Sequence, residues 1–528
     1  MTLSVKVSGH VAAAVAAAVP ELVSAHVASR LAQSDATLWG KAAESEASIR
    51  LGWFSAAHTS RELIAPIEEL RSEFAARGLT RLVLCGMGGS SLAPEMITRT
   101  AGVDLVVLDS THPTQVSRAL NAEIDSTVVV IASKSGSTAE TDSHKRSFEA
   151  AFVAAGIDPV SRIVIVTDPG SPLDVSSRET GYRVFNADPM VGGRYSALTA
   201  FGLVPTGLAG VDIDALLNEA ESAMAELATD VPSNPAFVLG AAMASQAPAT
   251  NKMLIRSGTS SIVGIGEWIE QLVAESTGKD GKGVLPIVAG QRHPDTEFND
   301  VVNVTITDSP DHEANGDVVV SASLGAQILL WECATAVASR ILGVNPFDQP
   351  DVESAKIATR TFLDGEPLDT TTFVRDGDVE FASVGLPSIP TTVEAAVTEL
   401  LSSVDDNGYV AIHAYVDRAG TVDADEVQNA IVLRVQRPTT FGWGPRFLHS
   451  TGQYHKGGPA QGFFIQIVDQ SPVDREIPGR PFTFGTLMSA QADGDAAVLA
   501  KHGRPVLTLR AKSGEGLATI TRILSGTS

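Results

Sequence analysis

A chain of 528 residues is too long for one hydrophobic core, so we expect it to fold into two to four domains. With 44% hydrophobic and 19% charged residues, its composition is that of an ordinary soluble globular protein. A net charge of -24 repels nucleic acid and anionic membranes, so we expect neither as a partner. For the same reason, an anionic substrate needs positively polarised groups within its own binding site. The two cysteines, Cys85 and Cys333, are too few for a disulfide framework or a thiolate metal site and favour a reducing cytoplasm.

Residues 1–65 predict an N-terminal helical segment, because Ala, Leu and Glu recur at helical spacing with few turn signals. Within it, Val11–Val19 consists of nine Val and Ala residues, a run that also invites interpretation as a signal peptide. Alanine is an excellent helix former and a poor membrane residue, so the run favours a helix packed on the body of the protein. No apolar run approaches the length of a membrane span.

From residue 66 onward, short runs rich in Val, Ile and Leu alternate with stretches of helical composition. This alternation predicts a parallel sheet buried on both faces, the doubly wound α/β architecture. The strands predicted in a first domain, 66–208, are Arg81–Gly86, Asp104–Asp109, Thr127–Ser133, Arg162–Asp168 and Tyr182–Asn186. The elements predicted in a second domain, 209–365, are strands at Lys252–Arg256, Gly283–Ala289 and Val301–Thr307 and a helix at Leu324–Leu342.

Acidic, glycine and proline residues around Asp364–Pro367 and Asp376–Asp378 predict a domain boundary near residue 365. A C-terminal third α/β unit, 366–528, follows this boundary. Its predicted strands are Tyr409–Val416, Ala430–Val435, Gly462–Val468 and Pro505–Leu509.

A glycine-rich turn follows the first predicted strand, in the sequence Leu82-Val-Leu-Cys-Gly-Met-Gly-Gly-Ser-Ser91. Main-chain N–H groups in such a turn can surround an anion, and glycine lets a ligand approach the backbone closely. Asp109 ends the next strand about twenty residues later, where a dinucleotide-binding fold keeps its ribose-binding acid. A nucleotide-dependent oxidoreductase is therefore an alternative on this motif alone.

A second loop, Ser133-Lys-Ser-Gly-Ser-Thr-Ala-Glu-Thr141, follows the strand that begins at Thr127. It combines several hydroxyl groups with the N–H groups of a helix start, a chemistry that suits a phosphate monoester. An ordinary Ser or Thr helix cap is the alternative, but a cap needs a single hydroxyl, and the density of hydroxyls here favours a ligand.

Together, these two loops resemble those of the sugar isomerase domain, which occurs twice in glucose-6-phosphate isomerases. The resemblance implies that both loops hold the phosphate of a sugar phosphate, and that Lys134 contributes mainly through its main-chain N–H group. The matching residues are Gly88, Gly89, Ser90, Ser133, Lys134, Ser135, Thr138 and Thr141.

Conversion of an aldose into a ketose needs a base, a cation near the developing enediolate and groups that open the sugar ring. The segment Glu267–Lys279 is similar to the family's signature around its catalytic glutamate. The resemblance implies that Glu275 is the base and that Gln271 contacts the substrate, although a glutamate at a helix end is most often solvated. Val191-Gly-Gly-Arg-Tyr-Ser196 resembles the motif whose arginine stabilises the enediolate, here Arg194, which stays charged and can fork onto two oxygens.

For ring opening, Gly343–Lys356 resembles the family's C-terminal signature, which implies that Lys356 is the catalytic lysine. The family's Gly-Gln-His motif corresponds here to Gly452-Gln-Tyr-His455, which has one extra residue and follows the lysine. The segment 447–459 resembles the isomerase part of bacterial fusions of transaldolase with phosphoglucose isomerase, and of their stand-alone relatives. We therefore favour His455 as the ring-opening histidine.

Other histidines remain open for this role. His449 is the second choice, while His293 and His312 fall in a segment whose Pro294 and acidic residues suggest an exposed loop. A purely structural role for His455 is a further alternative.

The combined hypothesis is an α/β protein with two sugar isomerase domains that interconverts glucose 6-phosphate and fructose 6-phosphate, a step of glycolysis and gluconeogenesis. His455 and Lys356 open the ring, and Glu275 moves the proton through a cis-enediolate opposite Arg194. We expect no metal and no cofactor, a small-molecule sugar phosphate as the ligand, a monomer or homodimer, and a cytoplasmic location. An isomerase of a related sugar phosphate such as mannose 6-phosphate, and a non-catalytic sugar-phosphate-binding protein, remain alternatives.

Overall fold

The computed structural model describes residues 3–290, 292–308, 316–363, 372–388 and 390–526, without the side chains of residues 352, 353, 355 and 356. The chain separates into two compact units. The first unit comprises Met1–Asp109, Ala119–Pro286 and Val301–Asp348, and the second comprises Ser110–Arg118, Ile287–Asp300 and Gln349–Ser528.

The described residues form strands and helices in the following order. The strands are β1 Ser4–Val7, β2 Arg81–Gly86, β3 Val106–Leu108, β4 Thr127–Ala132, β5 Ile163–Thr167, β6 Arg183–Asn186, β7 Lys252–Ser257, β8 Leu285–Val288, β9 Val301–Thr307, β10 Val318–Ser321, β11 Val374–Asp376, β12 Val379–Val384, β13 Tyr409–Tyr415, β14 Thr439–Trp443, β15 Gly462–Asp469 and β16 Val506–Ala511. The helices are α1 Gly9–Ser24, α2 Val27–Ala32, α3 Glu44–Ala47, α4 Ala56–Thr59, α5 Ile64–Ala76, α6 Leu92–Ala101, α7 Pro113–Asn121, α8 Ala139–Ala154, α9 Pro172–Thr180, α10 Ala200–Ala209, α11 Ile213–Leu227, α12 Pro235–Ala244, α13 Ile265–Thr277, α14 Leu324–Leu342, α15 Pro350–Leu363, α16 Val393–Ser402, α17 Ala424–Val435, α18 Gly452–Gly457, α19 Phe484–Lys501 and α20 Gly514–Ser525.

The N-terminal sheet of the first unit has the strand order β3-β2-β4-β5-β6, and all its pairs are parallel. The chain leaves β2 for β3 on one side and then returns to β4 on the other side of β2. This reversal makes β2 and β4 a topological switch point, where open α/β sheets bind their ligands beyond the carboxyl ends of the strands. The two loops singled out in the sequence are the ones that follow β2 and β4.

The second sheet of the first unit has the order β1-β10-β9-β7-β8. Its strand β1 pairs antiparallel with β10, with Ser4 opposite Ser321, although residues 1–65 were predicted to be helical. This part of the prediction is wrong because a four-residue strand gives too short a pattern to detect, and its partner β10 lies more than 300 residues away.

Helix α1 confirms the alanine-rich helix predicted over Val11–Val19. Its residues Val11, Val15 and Val19 are buried and recur every four residues, so they form one stripe that packs into the core of the first unit. Helix α14 has the predicted bounds, Leu324–Leu342, and is buried along almost its whole length.

The second unit is built on a mixed sheet with the order β11-β12-β16-β15-β13-β14. The strand predicted at Ala430–Val435 is wrong, because this apolar run is the last part of α17. The side chain of Asp423 caps that helix by accepting a hydrogen bond from the Glu426 N–H group, 3.0 Å away. The neighbouring strand is β14, which follows the run and pairs with β13.

The α/β fold class is confirmed by these sheets and by the helices between their strands. The predicted domain boundaries stay predictions, and the one at Asp364–Pro367 falls outside the described residues. Within the described part of the chain, no helix is both long and apolar enough to cross a membrane.

Candidate active site

The glycine-rich turn after β2 is packed against a second loop of the first unit. Gly88 has a φ of 57°, in the left-handed region that glycine adopts without strain. A Cβ atom on Gly89 would lie 2.0 Å from the carbonyl oxygen of Gly193. Glycine is therefore required at position 89, because the main chains of the Gly88–Ser90 turn and the Gly193–Tyr195 turn are in contact.

The loop after β4 keeps its hydroxyl groups close together. The Ser133 hydroxyl donates to Thr138 Oγ1 over 3.3 Å and accepts from the Gly136 N–H group over 3.2 Å. Thr138 is the N-cap of α8, but its side chain makes no capping hydrogen bond. Thr141 is 2% exposed, and its Oγ1 has no hydrogen-bond partner. The loop therefore has hydroxyls that the helix start itself does not use.

The amino group of Lys134 is directed away from the loop. Its Nζ lies 2.7 Å from Asp168 Oδ2 at the end of β5. Burial raises the pKa of Asp168, and the Lys134 ammonium opposes that effect. The ammonium of Lys134 is thus engaged by Asp168, and a contribution of Lys134 through its main-chain N–H group stays a prediction.

Glu275 lies in the last turn of α13 and is 8% exposed. The side-chain amide of Gln271, one helical turn earlier, donates to Glu275 Oε2 over 3.1 Å. Arg194 Nε lies 3.4 Å from the same oxygen. Most glutamates at a helix end are solvated. The Glu275 carboxylate that the sequence match selected is instead buried and held in place by two side chains.

Arg194 holds several chain segments together. Its guanidinium donates to the carbonyl oxygens of Glu275, at 3.0 Å, and of Pro346, at 3.1 Å. It also donates to the carbonyl oxygens of Phe347 and Asp348 over 3.3–3.4 Å. In this structure the forked guanidinium binds main-chain carbonyl oxygens, and its role beside an enediolate stays a prediction.

The residue after this arginine anchors the turn in the core. The Tyr195 ring stacks on Trp53, with 5.1 Å between centroids, and lies 5.5 Å from the Phe347 ring. Its hydroxyl is 3.3 Å from Ser276 Oγ, next to Glu275 in the chain. Aromatic packing therefore fixes the turn that carries Arg194.

Lys279 closes the motif that begins at Glu267, and sequence analysis gave it no role. It is 4% exposed, and its Nζ contacts the carbonyl oxygen of Asn345 and, over 2.8 Å, the Asp348 carboxylate. Burial, followed by the charge of Arg194, lowers the pKa of Lys279 to about 8. A buried lysine two residues past a helix end carries no signal in the sequence that separates it from a solvated one.

His455 lies in α18 of the second unit and is 1% exposed. Its Nδ1 is 2.9 Å from the hydroxyl of Tyr409. Burial lowers the pKa of His455 well below its usual value, and the Lys456 ammonium, like any positive charge on His413, acts in the same direction. The imidazole is therefore neutral at pH 7.

A buried ionic network surrounds this histidine. Asp495 Oδ1 lies 2.5 Å from Lys456 Nζ, and its Oδ2 lies 3.3 Å from His413 Nδ1. Gln466 Nε2 donates to the same Oδ2 over 3.1 Å. These partners hold the pKa of Asp495 well below its usual range in spite of its burial.

The remaining candidates are placed as follows. His449 ends a short helical turn and is partly buried. His293 lies in a loop, as expected, and its neighbours Arg292 and Asp295 are exposed. The His293 side chain itself is only 7% exposed, and its Nδ1 is 2.9 Å from the Pro294 carbonyl oxygen. His312 lies outside the described residues, as does the side chain of Lys356, whose main chain belongs to α15.

Asp109, the residue behind the dinucleotide alternative, follows β3 and is 2% exposed. Among the described residues, no group of three His, Cys, Asp or Glu side chains is arranged to hold a metal ion.

The first unit is an α/β structure with two loops at the switch point of a parallel sheet, and comparison with a solved structure agrees with this fold. A solved structure of a hypothetical protein from Thermus thermophilus covers 69% of this chain and 100% of its own, with a TM-score of 0.57 and 23% identity. This similarity shows the fold alone.

Sequence comparison identifies the family. Residues 58–281 match the family model described as phosphoglucose isomerase. A probable glucose-6-phosphate isomerase of Haloarcula marismortui is 28% identical over 384 residues, which are 62% of this chain and 86% of that protein. A glucose-6-phosphate isomerase of Citrifermentans bemidjiense is 30% identical over 348 residues, 54% of this chain and 66% of that one. The chain thus carries a phosphoglucose isomerase domain, and the predicted family is confirmed.

Proposed function

We propose that this chain interconverts glucose 6-phosphate and fructose 6-phosphate. The observation that carries the proposal is the buried Glu275 carboxylate, which Gln271 orients beside the Arg194 guanidinium. The match of residues 58–281 to the phosphoglucose isomerase model and the names of the curated relatives support the same reaction.

Glu275 is the group that moves the proton between C2 and C1 of the open-chain sugar. Both Gln271 and Arg194 contact its Oε2, so we assign the proton transfer to Oε1. A positioned base of this kind contributes about 10²–10⁴-fold to the rate.

Arg194 stabilises the negative charge of the cis-enediolate. Its side chain is 4% exposed, and in such surroundings a fixed charge acts more strongly than in water. Because its N–H groups are directed at four carbonyl oxygens, we assign its effect to its charge and to its hold on Glu275.

The phosphate binds at the switch point between β2 and β4. The Gly88–Ser90 turn contributes N–H groups, and Ser133, Thr138 and Thr141 contribute hydroxyls at the start of α8. The positive end of a 16-residue helix favours an anion there, and this local attraction offsets the protein's overall negative charge.

We assign ring opening to Lys356 and His455. The neutral imidazole suits this step, because it can exchange a proton with the ring oxygen of the sugar. Its Nδ1 is engaged in the hydrogen bond with the Tyr409 hydroxyl, which leaves Nε2 for the sugar. Since this chain carries its own histidine motif, we propose that a monomer is active. Specific activity should then stay constant on dilution, and a steep fall in step with dimer dissociation would refute this.

We also place the enzyme in the cytoplasm, where sugar phosphates are metabolised. Cys85 and Cys333 are both buried free thiols, as a reducing compartment permits.

The test is a coupled assay in which glucose 6-phosphate formed from fructose 6-phosphate is oxidised by an auxiliary dehydrogenase. We expect turnover without added metal. Mannose 6-phosphate should compete with fructose 6-phosphate, with an inhibition constant larger than the KM for fructose 6-phosphate. Nicotinamide nucleotides should not change the thermal unfolding temperature. Thermal stabilisation by fructose 6-phosphate without turnover would instead indicate a non-catalytic sugar-phosphate-binding protein.

A further inference from the structure

Two buried cations of the first unit converge on the segment Asn345–Asp348. Arg194 binds the carbonyl oxygens of residues 346, 347 and 348. Lys279 binds the carbonyl oxygen of Asn345 and the carboxylate of Asp348. The segment is therefore held along its whole length by side chains that come from the turn after β6 and from the end of α13.

The burial of Lys279 is unusual for a lysine, a residue type that is almost never fully buried unless it is paired. Its side chain is 5% exposed, whereas that of its partner Asp348 is 44% exposed. The Lys279 ammonium is therefore buried near Arg194 and Glu275, whereas the carboxylate that pairs with it is open to solvent.

Among the described residues, the charges that act on Lys279 belong to the site. They are Arg194 from the turn after β6, Asp348 from the segment it holds, and Glu275 from α13. Lys282, in the turn after α13, is exposed and directs its own Nζ to the Leu342 carbonyl oxygen, 2.9 Å away.

We propose that Lys279 is a positioning residue of the isomerisation, which fixes Asn345–Asp348 around Arg194 and adds a second positive charge beside Glu275. This inference rests on the proposed function. Lys279 acts through Glu275, to which we assign the proton transfer, and through Arg194, to which we assign the stabilising charge; it has no role of its own at the reacting atoms.

The proposal predicts a particular pH dependence. With a pKa lowered to about 8, Lys279 is mainly charged at pH 7 and loses its proton as the pH rises through that value. The loss leaves Asp348 without its partner and removes the second charge. Turnover should therefore fall above about pH 8, with little change in KM.

The test compares kcat and KM from pH 6 to 10 for the wild type, Lys279→Arg, Lys279→Met and the control Lys282→Met, with fructose 6-phosphate as substrate. Arginine stays charged throughout this range, so Lys279→Arg should keep turnover within a few-fold at pH 7 and move the alkaline limb upward by more than one pH unit. Lys279→Met should lower kcat by up to about 100-fold, the size of effect that a misplacement of about 1 Å produces, and should show no limb near pH 8. Lys282→Met should match the wild type.

An unchanged alkaline limb in Lys279→Arg, or full turnover in Lys279→Met, would overturn the proposal. If Lys279→Met does not fold, the limb of Lys279→Arg decides. A wild type without isomerase activity would refute the proposed function itself, and the inference with it, so the two failures are distinguishable.

Discussion

The contact between Gly89 and Gly193 gives the sharpest structural prediction. A methyl group at position 89 would lie 2.0 Å from the Gly193 carbonyl oxygen and 2.5 Å from its carbon, whereas ordinary contacts begin at 3.4 Å. Both obstructing atoms belong to the main chain, so no side-chain rotation relieves the overlap. The two turns must separate by more than 1 Å, and overpacking of this kind costs about 1–3 kcal/mol.

Gly89→Ala should also impair catalysis, because Arg194 directly follows the displaced Gly193. A misplacement of about 1 Å can cost about 100-fold in rate. We expect kcat/KM for fructose 6-phosphate to fall by about that factor, together with a lower midpoint of urea unfolding.

The matched control is Gly193→Ala. A Cβ atom there meets no atom within 4 Å, and Gly193 has no positive φ. The urea midpoint of this variant should equal that of the wild type. Any change in its KM would indicate that the sugar occupies the space next to Gly193. A Gly89→Ala protein with wild-type stability and turnover would refute the close approach of the two turns.

Three further predictions concern side chains. Thr141→Val should leave urea stability unchanged, because Thr141 Oγ1 has no hydrogen-bond partner to lose. Calorimetry should show fructose 6-phosphate binding about tenfold more weakly, as expected for a lost hydrogen bond to a charged group. An unaltered affinity would mean that Thr141 does not bind the phosphate. Asp495→Asn should lower the free energy of unfolding in urea by about 3–5 kcal/mol, because it leaves the Lys456 ammonium buried and unpaired. A loss below about 1 kcal/mol would contradict the buried ion pair between Asp495 and Lys456. Burial lowers the pKa values of His413 and His455, so the unfolded chain binds protons that the folded chain does not, and stability should fall as the pH drops below about 6.5. Urea unfolding at pH 7.5, 6.5 and 5.5 measures this loss; His455→Gln should reduce it, and an equal loss in that variant would contradict the assignment.

Much of the first unit follows from its sequence. The bounds of β2 agree with the prediction, because a strand buried on both faces is a continuous apolar run, here Leu82–Cys85, between clear turn signals. The bounds of β9 also agree, although Asn303, Thr305 and Thr307 interrupt its apolar residues. The positions of the two loops after β2 and β4 were predictable for the same reason, since glycine and hydroxyl residues directly follow such strands.

Other features depend on the tertiary structure. Ala430–Val435 has strand-like composition, and only the capping residue Asp423, seven residues earlier, marks it as part of a helix. Lys279 is buried against Asn345 and Asp348, more than 60 positions away, and the local sequence does not reveal these contacts. Three of the four carbonyl oxygens that orient Arg194 likewise belong to residues 346–348, about 150 positions away.

The most direct test of the central claim is proton exchange catalysed by Glu275. Fructose 6-phosphate is incubated in D₂O, and NMR follows both the entry of deuterium at C1 and the appearance of glucose 6-phosphate. The experiment compares the wild type, Glu275→Gln and Glu267→Gln. Glu267 serves as the control because it is an exposed residue of the same helix. We predict that Glu275→Gln loses both signals by at least about 10²-fold while still binding fructose 6-phosphate, and that Glu267→Gln keeps both. Deuterium exchange near the wild-type rate in Glu275→Gln would contradict the account.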